Sequence, residues 1–191
     1  MYHISNDKRA FQSSDWIYEA LKRQMEGKKY SEIKITDVVN DAKLGRSTFY
    51  RLFDTLDDVL HYKCDQAYAN CALSMKRLFL DPQNTHLSTN FFLPFFRYWY
   101  YNFEIVELLI SAKREDILKQ SFRKMVDDLR LEYPEVEIEH YNYFIEIRAA
   151  VSIAILSEWV KTNRQLSPET LFEIFNTQMS LDQVLLERTR K

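Results

Sequence analysis

The residues best suited to bind a partner lie in one short segment, between positions 36 and 55. It presents hydroxyl, phenol and guanidinium groups between apolar positions, namely Thr36, Arg46, Ser47, Thr48 and Tyr50. A guanidinium can hold two acceptors at once, such as O6 and N7 of guanine, and hydroxyl groups can reach phosphate oxygens. The chemistry offered is therefore noncovalent recognition of an acceptor-rich surface.

Two short helices joined by a tight turn must position these groups. The sequence predicts one helix over 36–42, with Thr36 as its N-cap, and a second over 46–53. A longer helix before them is expected to begin at Ser13-Ser14-Asp15 and to end at Gly27. Together they form a helix-turn-helix candidate, whose second helix can enter the major groove of DNA.

The residues of this segment resemble the signature of the TetR family of transcriptional regulators. The resemblance rests on Ile35 to Val39, Ala42 to Phe53 and Asp57 to Leu60. The family's recognition helix carries Thr-[Leu/Phe]-Tyr-x-x-Phe, which is matched here from Thr48 to Phe53. The match spans Asp15 to Leu60 without a gap, and we read Phe49 and Phe53 within it as core residues.

The resemblance implies a regulator that binds double-stranded DNA. Thr36 and Tyr50 would contact backbone phosphates, and the start of the second short helix would face the groove. The expected DNA-binding residues are Lys34, Thr36, Lys43, Gly45, Arg46, Ser47, Thr48, Tyr50, Arg51 and Thr55. Lys28, Lys29 and Lys34 remain open between phosphate contacts and an ordinary solvated surface.

Three positions depart from the family pattern. The family often has Gly where Lys43 stands and Ser where Gly45 stands, and both changes leave a workable turn. Leu56 stands where many members carry a phosphate-contacting Lys, and acidic residues lie nearby at Asp54, Asp57 and Asp58. The alternative interpretation is therefore a helical sensor or interaction protein whose head has lost DNA binding, unless Lys43 or Arg51 compensates.

Composition favours an all-α fold. With two glycines and four prolines in 191 residues, the chain lacks the turn residues that many short strands need. We expect about nine helices, arranged as a three-helix head over 1–55 and a helical body over 56–191. The later helices are predicted from 56 to about 81 and at 89–103, 104–112, 114–131, 138–162 and 168–188. Their breaks include a loop at 81–88, Pro134, and a helix start at Ser167-Pro168-Glu169.

Bulk charge does not mark a nucleic-acid binder, because the formal net charge is -2. Residues 1–63 hold 11 basic and 10 acidic side chains, and residues 64–191 hold 15 and 18. DNA binding must therefore depend on individually placed residues.

The sequence also predicts a cytoplasmic protein without a membrane span. Cys64 and Cys71 would lie about 10 Å apart on one helix, too far for a disulfide, which suits a reducing compartment. The start of the chain lacks the apolar run of a signal peptide. The most apolar stretch, 91–103, is too short to cross a bilayer.

The body offers material for a small-molecule site. Nine aromatic residues lie between Phe91 and Phe103, and so many rings are difficult to bury without leaving irregular space. The plainer interpretation, a large core, stays open. TetR family members sense effectors in a cavity of the body, and the expected ligand-binding residues here are Phe95, Tyr98, Trp99, Tyr101 and Arg148.

The resemblance further implies a homodimer, built by the last two helices as a four-helix bundle. Small residues near position 150 would let another helix approach closely. The expected dimer residues are Ala149, Ala150, Ile153, Leu156, Trp159, Leu171 and Phe175. The alternative is that these side chains are buried only against their own chain.

We expect the protein to bind no metal and no cofactor, and we do not expect it to be an enzyme. His61, Cys64 and Cys71 have ligand-type side chains, but an apolar helical stripe explains both cysteines. The sequence shows no nucleophile triad order, Gly-rich phosphate loop or metal-hydrolase spacing.

Overall fold

The computed structural model of the chain describes residues 1–5, 7–79, 92–132 and 138–179. Over these residues the chain forms nine α-helices and one 3-10 turn, with an isolated Tyr2–Phe53 bridge and no strand. The helices are α1 (Lys8–Gly27), α2 (Ile35–Asp41), α3 (Arg46–Leu52), α4 (Leu56–Phe79), α5 (Phe92–Tyr101), α6 (Glu104–Ala112), α7 (Glu115–Glu132), α8 (Tyr141–Lys161) and α9 (Pro168–Met179). The predicted all-α class with about nine helices is confirmed.

The chain divides into two compact units. The first unit comprises Met1–Ala67 and Glu104–Phe122, and the second comprises the described residues of Tyr68–Phe103 and Arg123–Lys191. Helices α4 and α7 therefore each contribute residues to both units. The predicted functional boundary after residue 55 stays a prediction, and the compact unit that holds the helix-turn-helix extends further along the chain.

Helix α1 begins earlier than its sequence indicates. Asp7 is the N-cap, and its carboxylate accepts a hydrogen bond from the amide of Arg9 at 3.1 Å. Ser14, expected to be part of the cap, is instead buried inside the helix and donates to the carbonyl of Phe11. Both sites offer good capping side chains, and the earlier one places more of the amphipathic helix against the core.

Two predicted helix starts are confirmed. The hydroxyl of Thr55 accepts from the amide of Asp58, while the carboxylate of Asp58 accepts from the amide of Thr55, so the two form a reciprocal capping box. Ser167 caps α9 by accepting from the amide of Thr170 at 3.2 Å, directly before Pro168.

Three helices end in a left-handed residue that is not glycine. Lys43 after α2, Lys113 after α6 and Asn163 after α8 have positive φ, whereas neither Gly27 nor Gly45 does. The closing amide-to-carbonyl hydrogen bonds are Leu44 to Val39 at 2.9 Å, Arg114 to Leu109 at 2.9 Å and Arg164 to Trp159 at 2.8 Å. This Schellman geometry normally favours glycine, so each end carries a conformational cost.

Each unit has its own buried core. In the first unit the core includes Ile17, Leu21, Val38, Val39, Phe49, Leu52, Phe53, Val59, Leu60 and Leu118. In the second it is largely aromatic and includes Tyr68, Phe92, Phe95, Phe96, Trp99, Trp159 and Phe175. The expected loop at 81–88, the break at Pro134 and the end of the last predicted helix lie outside the described residues. None of the described helices combines the length and apolar character needed to cross a bilayer.

Candidate functional site

The helix-turn-helix segment is held by apolar contacts on its inner side. Val38 and Val39 of α2 and Phe49 and Leu52 of α3 are fully buried, and both short helices pack on α1. The ring of Phe49 lies 5.8 Å from that of Phe53, which is buried just after α3. The interpretation of Phe49 and Phe53 as core residues is confirmed. The apolar side of α3 thereby fixes which residues point outward.

Charged contacts attach α2 to α1 at the rim of this core. The carboxylate of Asp41 accepts from the guanidinium of Arg23 at 2.6 Å and from the side-chain amide of Gln24 at 3.0 Å. Both hydrogen bonds hold the pKa of Asp41 below its ordinary value, and the one from Arg23 contributes most. Nζ of Lys28 also lies 3.3 Å from the carboxylate of Asp37, so Lys28 forms an ion pair within the chain.

The outer side of α3 carries exposed polar side chains. Arg46, Ser47, Tyr50 and Arg51 are exposed, as is Lys43 in the preceding turn. Among the described residues none of these three cations forms a salt bridge. The phenol ring of Tyr50 rests against Phe49 and is 47% exposed. Of the predicted groove residues, the structure therefore places Arg46 and Ser47 together in solvent at the start of α3, with Thr48 half-buried beside them.

The remaining predicted contacts lie at the edges of this face. The prediction of Thr36 as N-cap is wrong, because Lys34 holds the cap position and its amide donates to Asp37. Thr36 is half-buried within the first turn of α2, and Lys34 is exposed. Gly45 is the N-cap of α3 and is exposed. The hydroxyl of Thr55 is already engaged with Asp58.

The acidic residues beside this face are paired. Asp57 accepts from Nε of Arg114 at 3.0 Å and from the phenol of Tyr30 at 2.5 Å. Burial raises the pKa of Tyr30, and the hydrogen bond to Asp57 raises it further. Asp54 contacts Nε2 of His3 at 3.0 Å, while Asp58 serves in the capping box. Sequence reasoning missed Arg114 and Tyr30, since no local pattern links them to a residue tens of positions away.

The predicted ligand residues divide between core and surface. Phe95 and Trp99 are fully buried in the second unit and their rings lie 6.1 Å apart. Tyr98 is half-buried, and burial raises its pKa to about 12. Tyr101 is 80% exposed, so it does not face the same space as Trp99. Successive helical residues point in different directions, which a count of aromatic residues cannot reveal.

Arg148 is the polar member of the predicted ligand set. It is half-buried on α8, and its guanidinium lies 5.5, 5.3 and 5.5 Å from the ring centres of Phe92, Phe144 and Phe175. Burial lowers its pKa. Among the described residues it has no carboxylate partner.

Most predicted dimer residues are buried within the chain itself. Those with little or no exposure are Ala149, Leu156, Trp159, Leu171 and Phe175. Ala150 is exposed and Ile153 is half-buried. The exposed stripe of α8 contains Tyr143, Ile147, Ala150 and Ala154, at steps of three and four residues. This stripe, rather than the buried set, is available to a second copy.

The cysteines are structural. Cys64 and Cys71 have no exposed surface, and burial raises the pKa of both thiols. The sulfur of Cys71 lies 3.6 Å from that of Met75. Within the described ranges, no group of three metal-binding side chains comes together.

Comparison with known proteins finds a solved structure with the same fold. No family model matches the sequence, and no curated protein matches it either. Among solved structures, the chain is similar to Lin0861 from Listeria innocua, with a TM-score of 0.76 at 17% sequence identity. The similarity covers 94% of this chain and 95% of that one. The two chains therefore share a fold over nearly their whole lengths.

Proposed function

We propose that the protein is a transcriptional regulator of the TetR kind, which binds a palindromic operator as a homodimer, responds to a small molecule and acts as a repressor. The observation that carries the proposal is the outer face of α3. It is a short helix anchored by Phe49 and Leu52, and its exposed cations form no salt bridge with any residue that the structure describes. Two such helices, one per protomer, would enter the major groove about one helical turn of DNA apart.

The positions along α3 suit distinct roles. Arg46 is the first residue of α3, where recognition helices meet base edges, and its fork matches guanine. Tyr50 follows one turn later and projects a phenol suited to a phosphate oxygen. Lys43 and Arg51 flank them and add positive charge for the backbone.

The acidic residues near α3 should repel DNA less than their number in the sequence indicates. Asp57 is paired with Arg114, and Asp58 is committed to the start of α4. Leu56 still removes one expected phosphate contact, which favours the alternative of a helical sensor whose head no longer binds DNA. Because a few placed cations would carry the binding, we expect affinity to fall with salt along a shallow slope.

DNA binding is tested with a fluorescent duplex from the region upstream of the protein's own gene. Arg46→Ala should weaken binding by about 1–3 kcal/mol per half-site and relax discrimination at one base position. Tyr50→Phe should weaken binding to all duplexes alike, because a phosphate contact carries no base information. Arg97→Ala is the control, since Arg97 is paired with Glu169 in the second unit. Fluorescence anisotropy gives the affinities.

Two results would count against this assignment. If the wild type binds the upstream duplex no better than an unrelated one at moderate salt, the alternative of a head without DNA binding is preferred. If it binds specifically but Arg46→Ala and Tyr50→Phe behave like Arg97→Ala, α3 is not the reading helix.

Dimerisation is tested at Ala150. This residue lies in the exposed stripe of α8, between the 52% exposed Ile147 and Ala154. Ala150→Arg would place a long charged side chain where a second helix must approach closely, and it should give monomers in analytical ultracentrifugation. Glu158→Arg, also exposed but beyond the apolar part of the stripe, is the control. An unchanged mass for Ala150→Arg would remove α8 from the interface.

A further inference from the structure

The second unit holds a cation in an unusual setting. Its other arginines include Arg97, which pairs with Glu169 at 2.9 Å, and Arg123, which pairs with Glu146 at 3.0 Å. The guanidinium of Arg148 has three aromatic rings in place of a carboxylate. A half-buried cation has lost part of its hydration, and aromatic faces replace only some of that stabilisation. Its N–H donors are available to an acceptor that the described chain does not supply.

Two more polar groups in this unit lack a hydrogen-bond partner among the described residues. Ser152 follows Arg148 by one turn on the same side of α8, is fully buried, and its hydroxyl forms no hydrogen bond within the described part of the chain. The indole N–H of Trp99 is likewise buried without an acceptor there. Arginine and tryptophan side chains can only donate, and a serine hydroxyl can donate as well as accept, so an acceptor would satisfy all three groups.

The rings around Arg148 connect three helices. Phe92 belongs to α5, Phe144 to α8 and Phe175 to α9, and the rings of Phe92 and Phe175 stack with centres 4.0 Å apart. Phe92 also leads along α5 to Phe95 at 5.9 Å. Phe92 and Phe175 are buried and Phe144 is half-buried. An occupant bonded to Arg148 would therefore contact the ring of Phe144 first and would reach the other two rings only by parting them.

We propose that Arg148 binds the carboxylate of a small monoanionic organic acid, with the aromatic rings around it holding the acid's apolar body. The guanidinium fork matches a carboxylate, and a single cation balances a single negative charge. An amine would be repelled, and a neutral alcohol would forgo the charge-assisted bonds. The inference rests on the proposed function only in making this acid the effector of the regulator.

The regulatory consequence follows from the helices involved. Both α8 and α9 lie in the proposed dimer region, and two of the three rings on Arg148 belong to them. An acid that binds better to one arrangement of these helices would shift the population toward that arrangement. We expect the acid-bound form to bind the operator more weakly.

The experiment compares acids with alcohols of the same shape. Hydrocinnamate with hydrocinnamyl alcohol, and decanoate with decanol, are titrated into the full-length protein by calorimetry. At least one acid should bind more tightly than its alcohol by about tenfold or more, because a charge-assisted pair is stronger than a neutral one. Arg148→Met should abolish the difference, and Arg148→Lys should keep part of it. Arg164→Met is the matched control, because Arg164 lies over the ring of Phe103 at 3.8 Å in the same unit.

The outcomes separate the site from the regulation. The site is refuted if neither acid binds more tightly than its alcohol, or if folded Arg148→Met keeps the preference. Should Arg148→Met fail to fold, the wild-type comparison and Arg148→Lys decide. Acid binding through Arg148 without release of operator DNA would support the site and refute its role as the effector site. Operator binding without acid binding would refute the site and leave the DNA-binding proposal intact.

Discussion

Cationic side chains lie in opposite environments on helix α3 and in the aromatic region of α5, α8 and α9. On α3 the aromatic ring of Phe49 is buried and the cations Arg46 and Arg51 extend into solvent. In the aromatic region the rings stack on one another, and the cation Arg148 is drawn among them. The first arrangement suits a large, hydrated polyanion that approaches from outside. The second suits a small anion that gives up its water.

The difference shows why an unpaired cation must be read together with its environment. Exposed cations remain hydrated, so leaving them unpaired costs little and keeps them available for phosphates. A half-buried cation without a carboxylate is costly, and it persists when a ligand or a set of rings compensates. Under the two proposals made above, arginine would thus serve two different partners in one chain.

The largest expected effect comes from removing a buried ring in each region. Phe49→Ala in the first unit and Phe95→Ala in the second should each lower the free energy of unfolding by about 3–5 kcal/mol, because both rings are fully buried. Phe49→Ala should also abolish DNA binding, since α3 loses its anchor. Amide hydrogen exchange should show lost protection in α1 to α3 for Phe49→Ala and in α5 and α9 for Phe95→Ala.

Two results for these variants would contradict the separation of the two regions. If Phe95→Ala weakens DNA binding as much as Phe49→Ala while exchange in α3 stays slow, the aromatic region does more than hold a ligand. If both variants lose protection over the whole chain, the two units unfold as one.

Sequence periodicity predicted the helices well, because each amphipathic stripe is a local property. The ends of α2 and α3 lie within about one residue of their expected positions, since apolar spacing and turn residues limit them. The cap of α1 was misplaced, because Asp7 and the Ser13 to Asp15 stretch offer equivalent capping side chains and tertiary packing selects between them.

Side-chain environments were harder to predict because they depend on distant residues. A count of nine aromatic residues gave no means to separate buried Trp99 from exposed Tyr101. Arg148 was predicted to bind a ligand from its position in the sequence. The rings around its guanidinium include those of Phe92 and Phe175, however, and these lie on other helices. Long-range contacts of this kind leave no signature in local spacing.

A smaller effect is expected at the turn between α2 and α3. Lys43 has φ of 54°, a conformation in which glycine is less strained, and its Cβ is the source of the cost. Lys43→Gly should therefore raise the free energy of unfolding by about 1 kcal/mol. Under the proposed function it should also weaken DNA binding, because it removes an exposed cation beside the face proposed to contact DNA. Urea denaturation and anisotropy measure the two effects.

Lys113→Gly provides the matched control for this turn. Lys113 ends α6 with φ of 57° in the same hydrogen-bonded geometry, away from α3 in the sequence. It should gain similar stability without any change in DNA affinity. An equal loss of affinity in both variants would show that Lys43 does not act through its charge at the DNA.

The smallest expected effect concerns the contact that attaches α2 to α1. Hydrogen bonds from Arg23 and Gln24 lower the pKa of Asp41 beneath its ordinary value of 3.8. A carboxyl with a lowered pKa in the folded state stabilises the fold above its unfolded pKa, and that contribution is lost as pH falls toward the folded pKa. The free-energy difference between wild type and Asp41→Asn should therefore be constant above about pH 5 and shrink below it. Asp128→Asn, at an exposed carboxyl of α7 outside any salt bridge among the described residues, is the matched control. Urea denaturation at a series of pH values measures both variants. A wild-type advantage that grows as pH falls would mean that the contact between Arg23 and Asp41 does not stabilise the helix-turn-helix.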